Sequence, residues 1–180
     1  VRTLHLAIPK KVQGLETLNV VAASDIHLGS MIGKKRLDSM VARINALNPD
    51  LVLLPGDIVD EDLAPVIKHN LGDALRNLSS RWGVFAVTGN HEYIGGVEEA
   101  YAYLSEHGVT VLRDRVVKLK DAVYLVGRED RSIRRAGKNR KPLQELMALT
   151  DPNCPIILLD HQPFQLEEGE TNGVDLQISG

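Results

Sequence analysis

Four short stretches of this 180-residue chain carry residue types that could do chemistry together. Ser24-Asp25-Ile26-His27 sets a carboxylate and an imidazole two residues apart. Gly56-Asp57-Ile58-Val59-Asp60 follows an apolar run and holds two carboxylates. Gly89-Asn90-His91-Glu92 follows another such run, and Asp160-His161 a third. In an extended chain, residues i and i+2 project to one side. Asp25 and His27 would then aim at a common point, with Ile26 facing away. A metal ion is one such point, and a structural Asp–His hydrogen bond explains the isolated pair equally well. The other groups have structural explanations of their own: Asp57 as a turn or cap residue, Asn90 as a turn residue beside Gly89, His161 as a half-buried histidine. Taken together they argue for a shared site, because independent turns would not put metal-type ligands after four core strands. Mixed oxygen and nitrogen donors suit manganese, iron or zinc better than calcium, which takes oxygen.

The elements that must position these groups alternate. Apolar runs at 18–24, 51–56 and 83–89 read as buried strands. Between them, Leu37, Met40, Val41, Ile44 and Leu47 recur at helical spacing and stop at Asn48-Pro49. Leu63, Val66, Ile67, Leu71, Leu75 and Leu78 form a second helical stripe, with Pro65 in its first turn. Val97, Ala100, Tyr101 and Leu104 form a third, closed by Gly108. Strand–helix repeats of this kind predict a parallel sheet with right-handed crossovers. In such a sheet the strand C-termini share one edge, where ligands bind in open α/β folds. After Gly108 the pattern turns to short β runs, with Lys120-Asp121 as a hairpin turn. A short helix opened by Pro142, carrying Leu143, Leu146 and Met147, and strands at 155–160 and 174–179 complete the chain.

Bulk properties narrow the class. The length is that of one ordinary domain, and 43% hydrophobic with only 4% aromatic residues means aliphatic packing. A formal charge of −3 argues against a protein held to nucleic acid by bulk electrostatics. Cys154 is the only cysteine, which excludes an intrachain disulfide and a multi-cysteine zinc site; a small core residue is its expected role.

D-x-H, G-D-x-x-D, G-N-H-E and a later lone His, in this order, resemble the calcineurin-like metallophosphoesterase superfamily from Asp25 to Gly180. SDIHLG, LLPGDIVD and GVFAVTGNHEY look more narrowly like its bacterial membrane-associated YkuE- and YaeI-like phosphodiesterase branch. The resemblance implies one α/β (α+β) sandwich domain over 1–180, two packed β-sheets flanked by helices. It implies a hydrolase that uses two divalent metal ions, manganese, iron or zinc. Asp25, His27 and Asp57 would hold the first, and Asp57 would bridge to a second held also by Asn90 and His161. His91 would be catalytic and not a ligand, with Asp60 and Glu92 orienting the ligands and His91. A phosphodiester or pyrophosphate is the expected substrate, with a lipid-linked one such as UDP-diacylglucosamine as the narrower expectation. A cyclic nucleotide or nucleic acid end is the alternative, and an inactive binding scaffold with the same fold is the rival of another class. The branch further implies a domain associated with the cell membrane through an upstream segment, or otherwise a cytoplasmic one.

Two features depart from that pattern or stand outside it. The family motif G-H-x-H would begin at Gly180, so the domain is expected to stop just before two histidine ligands, with weak or no metal binding in this chain. His5, His69 and His107 are expected to be structural or solvated, not substitutes. Residues 128–141 carry seven basic and two acidic side chains. A solvated loop is the plain expectation. Arg131, Arg134 and Arg135 could instead grip a substrate phosphate, since guanidinium forks match phosphate oxygens, or lie on an anionic membrane surface.

Overall fold

The structure is a computed structural model and describes residues 1–29 and 32–180. Its first half runs β1 (Val20–Ala22), α1 (Lys34–Asn45), β2 (Leu51–Pro55), α2 (Ala64–Lys68), α3 (Gly72–Leu75), β3 (Val84–Val87), α4 (Asn90–Gly95), α5 (Val97–Glu106) and β4 (Thr110–Val111). The four strands pair in parallel in the order 1-2-3-4, with Val21 opposite Val52 and Leu53 opposite Phe85. Each strand neighbours the next in sequence, so crossovers of one hand put every connecting helix on the same face. That face buries Val52, Leu54, Val84 and Ala86 against Leu37 and Val41 of α1, Val66 of α2, Leu75 of α3 and Leu104 of α5.

The other face is left for a second sheet. This is built from β5 (Arg115–Leu119), β6 (Val123–Gly127), β7 (Ile156–Leu159) and β8 (Leu176–Ile178), in that order. Its β5–β6 hairpin is antiparallel, and the other two pairings are parallel. Between the sheets lie Leu51, Leu53, Phe85 and Val87 from one side and Leu119, Val123, Leu125, Ile157 and Leu159 from the other. The outer face of the second sheet packs Val126, Ile156 and Leu158 on Leu143 and Leu146 of α6 (Leu143–Met147). The sixth to eighth strands are joined by a 3-10 helix (Arg131–Ala136), α6 and α7 (Leu166–Thr171). Helix, sheet, sheet and helix thus form four layers. Strands β2, β3 and β7 are buried along their whole length, which explains why they read as unbroken apolar runs without alternation.

Several expected elements change in detail. The apolar stripe at 63–78 is two helices, α2 and α3, because Asn70 adopts φ 48° and turns the chain between them. Lys120 and Asp121 do form the hairpin turn, both at positive φ, with the Ala122 N–H donating to Leu119 O at 2.9 Å. His107 is buried with its Nδ1 2.7 Å from the Tyr103 carbonyl, a structural histidine, whereas His5 and His69 are exposed. Among the described residues, no helix is long and apolar enough to cross a membrane.

Candidate metal centre

Asp57 leaves β2 through two consecutive residues of positive φ, Gly56 at 91° and Asp57 at 50°. The turn carries its carboxylate back over the strand end, where only 4% of the residue is exposed. The two oxygens then divide. Oδ1 accepts the His91 backbone N–H at 2.9 Å. Oδ2 faces three imidazoles, with His161 Nε2 at 3.3 Å, His27 Nε2 at 3.9 Å and His91 Nε2 at 4.0 Å. Gly89 allows this approach, since a Cβ there would collide with the Asp57 carboxylate and backbone nitrogen.

Asp25 and His27 do converge, but not by strand alternation. β1 ends at Ala22, and Asp25 (φ 53°) and His27 (φ 49°) both lie in the left-handed region. Their backbones are zipped onto the next loop instead. Asp25 N–H donates to Gly56 O, His27 N–H to Asp57 O, and Leu28 N–H to Ile58 O at 2.8 Å. Left-handed backbone at non-glycine residues costs on the order of 1–3 kcal/mol each and concentrates at functional sites. Here it brings Asp25 Oδ1 within 4.0 Å of His27 Nε2. The Ser24 hydroxyl, which the motifs did not single out, donates to the Asp25 carboxylate.

Asn90 and His91 open α4, a helix the apolar pattern did not announce, and Glu92 is its third residue. Glu92 reaches back to the Gly89 N–H at 2.7 Å, half of a capping box. Its carboxylate also accepts the N–H groups of Asp57, Ile58 and Val59 at 3.1, 2.7 and 2.8 Å. One carboxylate that is 1% exposed therefore ties the loop after β2 to the loop after β3. Asp60 stands at the rim, its Oδ1 3.0 Å from His91 Nδ1 and 3.8 Å from His27 Nδ1. The two rings meet edge to face at 4.4 Å.

His161 arrives from the other sheet. It follows β7, and its Nδ1 donates to the Pro55 carbonyl at the end of β2 at 2.8 Å. That bond turns Nε2 to Asp57 and to Asn90 Oδ1 at 3.2 Å. The expectation that all ligands share the edge of one sheet is corrected accordingly: the site sits where the C-terminal ends of two packed sheets meet. Burial alone would lower the His161 imidazole, but the Asp57 carboxylate and the Pro55 carbonyl outweigh it and push the ring up to about 9. Burial likewise would raise Asp57, and His161 and the His91 N–H hold it below its usual value.

The donor set fits divalent metal. Ligand atoms of Asp25, Asp57 and His161 lie within 4.8 Å of one another, as do those of His27, Asp57 and His91, and Asp57 belongs to both groups. Carboxylate oxygen with imidazole nitrogen is the chemistry of borderline transition ions. Asn90, His161, Asp25, His27, Asp57, His91, Asp60 and Glu92 are thus all brought together.

The basic stretch divides. Arg128 is 4% exposed and pairs with Asp160 at 3.4 Å and with Glu168 of α7 at 2.8 Å, while Arg140 pairs with Asp160 at 2.9 Å. Asp130 caps the 3-10 helix at Ser132 N–H and accepts the Gln162 amide at 3.0 Å. The expected solvated loop is in this part a buried clasp on the segment that carries His161. Neither the clasp nor the Asp130–Gln162 bond has a local sequence signature, because the partners lie 20 to 40 residues apart. Arg131 lies over the Phe164 ring at 5.5 Å and donates to Gln165 Oε1 at 2.9 Å. Arg134 and Arg135 are exposed.

Comparison with known proteins agrees with this geometry. An uncharacterized metallophosphoesterase of Helicobacter pylori (strain ATCC 700392 / 26695) is 34% identical over 164 residues, which cover 91% of this chain and 44% of that protein. The uncharacterized metallophosphoesterase YkuE of Bacillus subtilis is 25% identical over 170 residues, 93% of this chain and 58% of YkuE. This chain therefore spans about half the length of those relatives. A 5'-nucleotidase precursor from Thermus thermophilus shares the fold, with a TM-score of 0.62 at 19% identity over 91% of this chain and 41% of that one. Residues 18–180 match the family described as calcineurin-like phosphoesterase, and the chain belongs to that family.

Proposed function

We propose that this chain is the hydrolytic domain of a metal-dependent phosphoesterase that cleaves a phosphodiester or pyrophosphate bond. The observation that carries the reading is the Asp57 carboxylate, shared by two donor groups at the junction of the sheets. The division of the donors follows the family resemblance and not those two groups: Asp25, His27 and Asp57 would hold one divalent ion, and Asp57, Asn90 and His161 a second, with manganese, iron or zinc suited to the donors. Such a pair of ions, when bound, would activate water at neutral pH and supply positive charge for the phosphoryl oxygens.

The remaining work falls to side chains. Asp60 accepts the His91 Nδ1 proton at 3.0 Å, which fixes the tautomer and leaves Nε2 facing the centre. In its doubly protonated form His91 would give the Nε2 proton to the leaving oxygen and remain a neutral ring, with its Nδ1–H still on Asp60. Glu92 holds the Asp57 and Gly89 turns in register. Arg131, Arg134 and Arg135 are assigned to a phosphate on the far part of the substrate. The 3-10 helix that bears them follows Asp130, which is tied to the His161 segment through Gln162. As the finer part of this proposal, the substrate is lipid-linked, such as UDP-diacylglucosamine, and the domain meets an anionic membrane surface; the exposed Arg134 and Arg135 support this.

The test is hydrolysis of bis(4-nitrophenyl) phosphate by the chelated protein after titration with manganese, iron or zinc. Metal-dependent turnover that is abolished in Asp57→Asn is expected. Turnover that ignores both metal and Asp57 would overturn the reading.

A further inference from the structure

Two bare α-carbons lie against the Asp60–Glu61 segment. A Cβ at Gly29 would come to 3.2 Å from the Asp60 Cβ. Gly95 closes α4 so tightly on Glu61 that a Cβ would collide with the Glu61 carbonyl carbon and oxygen. Those are backbone atoms and cannot swing aside as the end of a long side chain can. Gly95 is not among the positive-φ residues, so its own conformation does not call for glycine. Alanine would even favour the helix. What the position requires is the absence of a side chain facing Glu61.

This contact sits beside the pair that governs the proton. α4 bears His91 in its first turn and Gly95 at its end. His91 meets the Asp60 carboxylate at 3.0 Å, and Gly95 meets the very next residue. One short helix therefore grips Asp60–Glu61 at two points.

We infer that Gly95 is a positioning residue: its missing side chain lets α4 seat on Glu61 and so holds the Asp60 carboxylate at His91 Nδ1. The inference rests on the hydrolase reading above. Metal-dependent turnover by the unaltered chain is therefore measured first, and its absence would count against that reading, not against Gly95.

Gly95→Ala is then compared with Gly33→Ala, where a Cβ would meet nothing within 4 Å among the described residues. Gly95→Ala is expected to keep its metal content and its KM, and to lose about 10–100-fold in kcat on a phenyl ester, with a smaller loss on the 4-nitrophenyl ester that needs little protonation. Gly33→Ala is expected to match the unaltered chain. In an Asp60→Asn background, Gly95→Ala should cost nothing more. In the metal-free protein, the downfield Nδ1 proton signal of His91, assigned by its loss in His91→Gln, should disappear in Gly95→Ala. An unchanged signal, an equal loss for both esters, or a loss of metal would overturn the inference. If Gly95→Ala does not fold, Gly29→Ala presses directly on the Asp60 side chain and should weaken the same proton signal; an intact signal there would overturn the inference.

Discussion

Asp57 is the residue on which the centre turns, because its Oδ2 faces His27, His91 and His161 at once. Replacing it with Asn removes the charge that would offset two cations while leaving the turn intact. In the full-length protein, Asp57→Asn is expected to lose most bound metal, measured by elemental analysis after gel filtration, and full retention would contradict a bridging role. His91 makes the opposite case. It shares a donor group with His27 and Asp57, yet Asp60 already occupies its Nδ1 and its backbone N–H holds Asp57. His91→Ala is expected to keep the metal and to slow turnover about 10²–10⁴-fold, as loss of a general acid does. Metal loss in that variant would make His91 a ligand instead. Glu92 acts by structure: it satisfies four N–H groups, and each one left buried without a partner costs about 1–3 kcal/mol.

At the scale of elements, the clasp of residues 128–141 on α7 sets where the His161 segment lies. Burial alone would raise the Glu168 carboxyl, and the Arg128 guanidinium more than reverses this, leaving it below its ordinary 4.5. A depressed folded value means that the pair stabilises the fold above pH 4.5 and that this contribution fades as pH falls through the depressed value. Glu168→Gln should therefore lower stability at neutral pH, by no more than about 1 kcal/mol for a group one-third exposed. The difference should vanish in denaturant titrations once the pH lies below that depressed value; a gap that persists there would place the effect in packing. Arg134 and Arg135 stand outside the clasp. Changing both to Gln should leave melting unchanged, since exposed charges contribute about 0–1 kcal/mol. It should raise KM for a lipid-linked pyrophosphate and flatten its salt dependence, while a nitrophenyl ester is unaffected. Unchanged kinetics on the lipid-linked substrate and unchanged binding to anionic vesicles would leave these two arginines as solvated surface charge.

For the molecule as a whole, the decisive surface is the one between the two sheets. Asp25, His27, Asp57, Asn90 and His91 follow strands of the first sheet, and His161 follows a strand of the second. Leu125 lies in the intersheet core beside Leu53, Phe85 and Ile157, whereas Leu143 lies under the outer face. Either residue cut to Ala should cost about 2–5 kcal/mol by the cavity it leaves. Only Leu125→Ala should also weaken metal binding, because its cavity lets one sheet shift against the other. Calorimetry paired with metal titration checks this, and equal metal affinity in both variants would show that the sheets do not set the site.

Local order was enough to mark the chemistry. Each candidate ligand follows an apolar run or a glycine within a few residues, and the runs are short because buried strands are short. The β–α alternation is likewise a property of neighbouring residues, and so was the parallel half of the fold. What no short window contains is the partner across space. The geometry at Asp25 and His27 comes from left-handed turns zipped to the loop after β2, not from strand alternation. His161 is aimed by the Pro55 carbonyl, 106 residues away. The basic stretch reads as solvated charge until Asp160 and Glu168 are placed against Arg128. Gly95 carries no signal in the sequence until Glu61 is seen beneath it. Residue types and their spacing determined which groups could bind metal; the packing of two sheets, through contacts between residues far apart in the chain, decided where each group points.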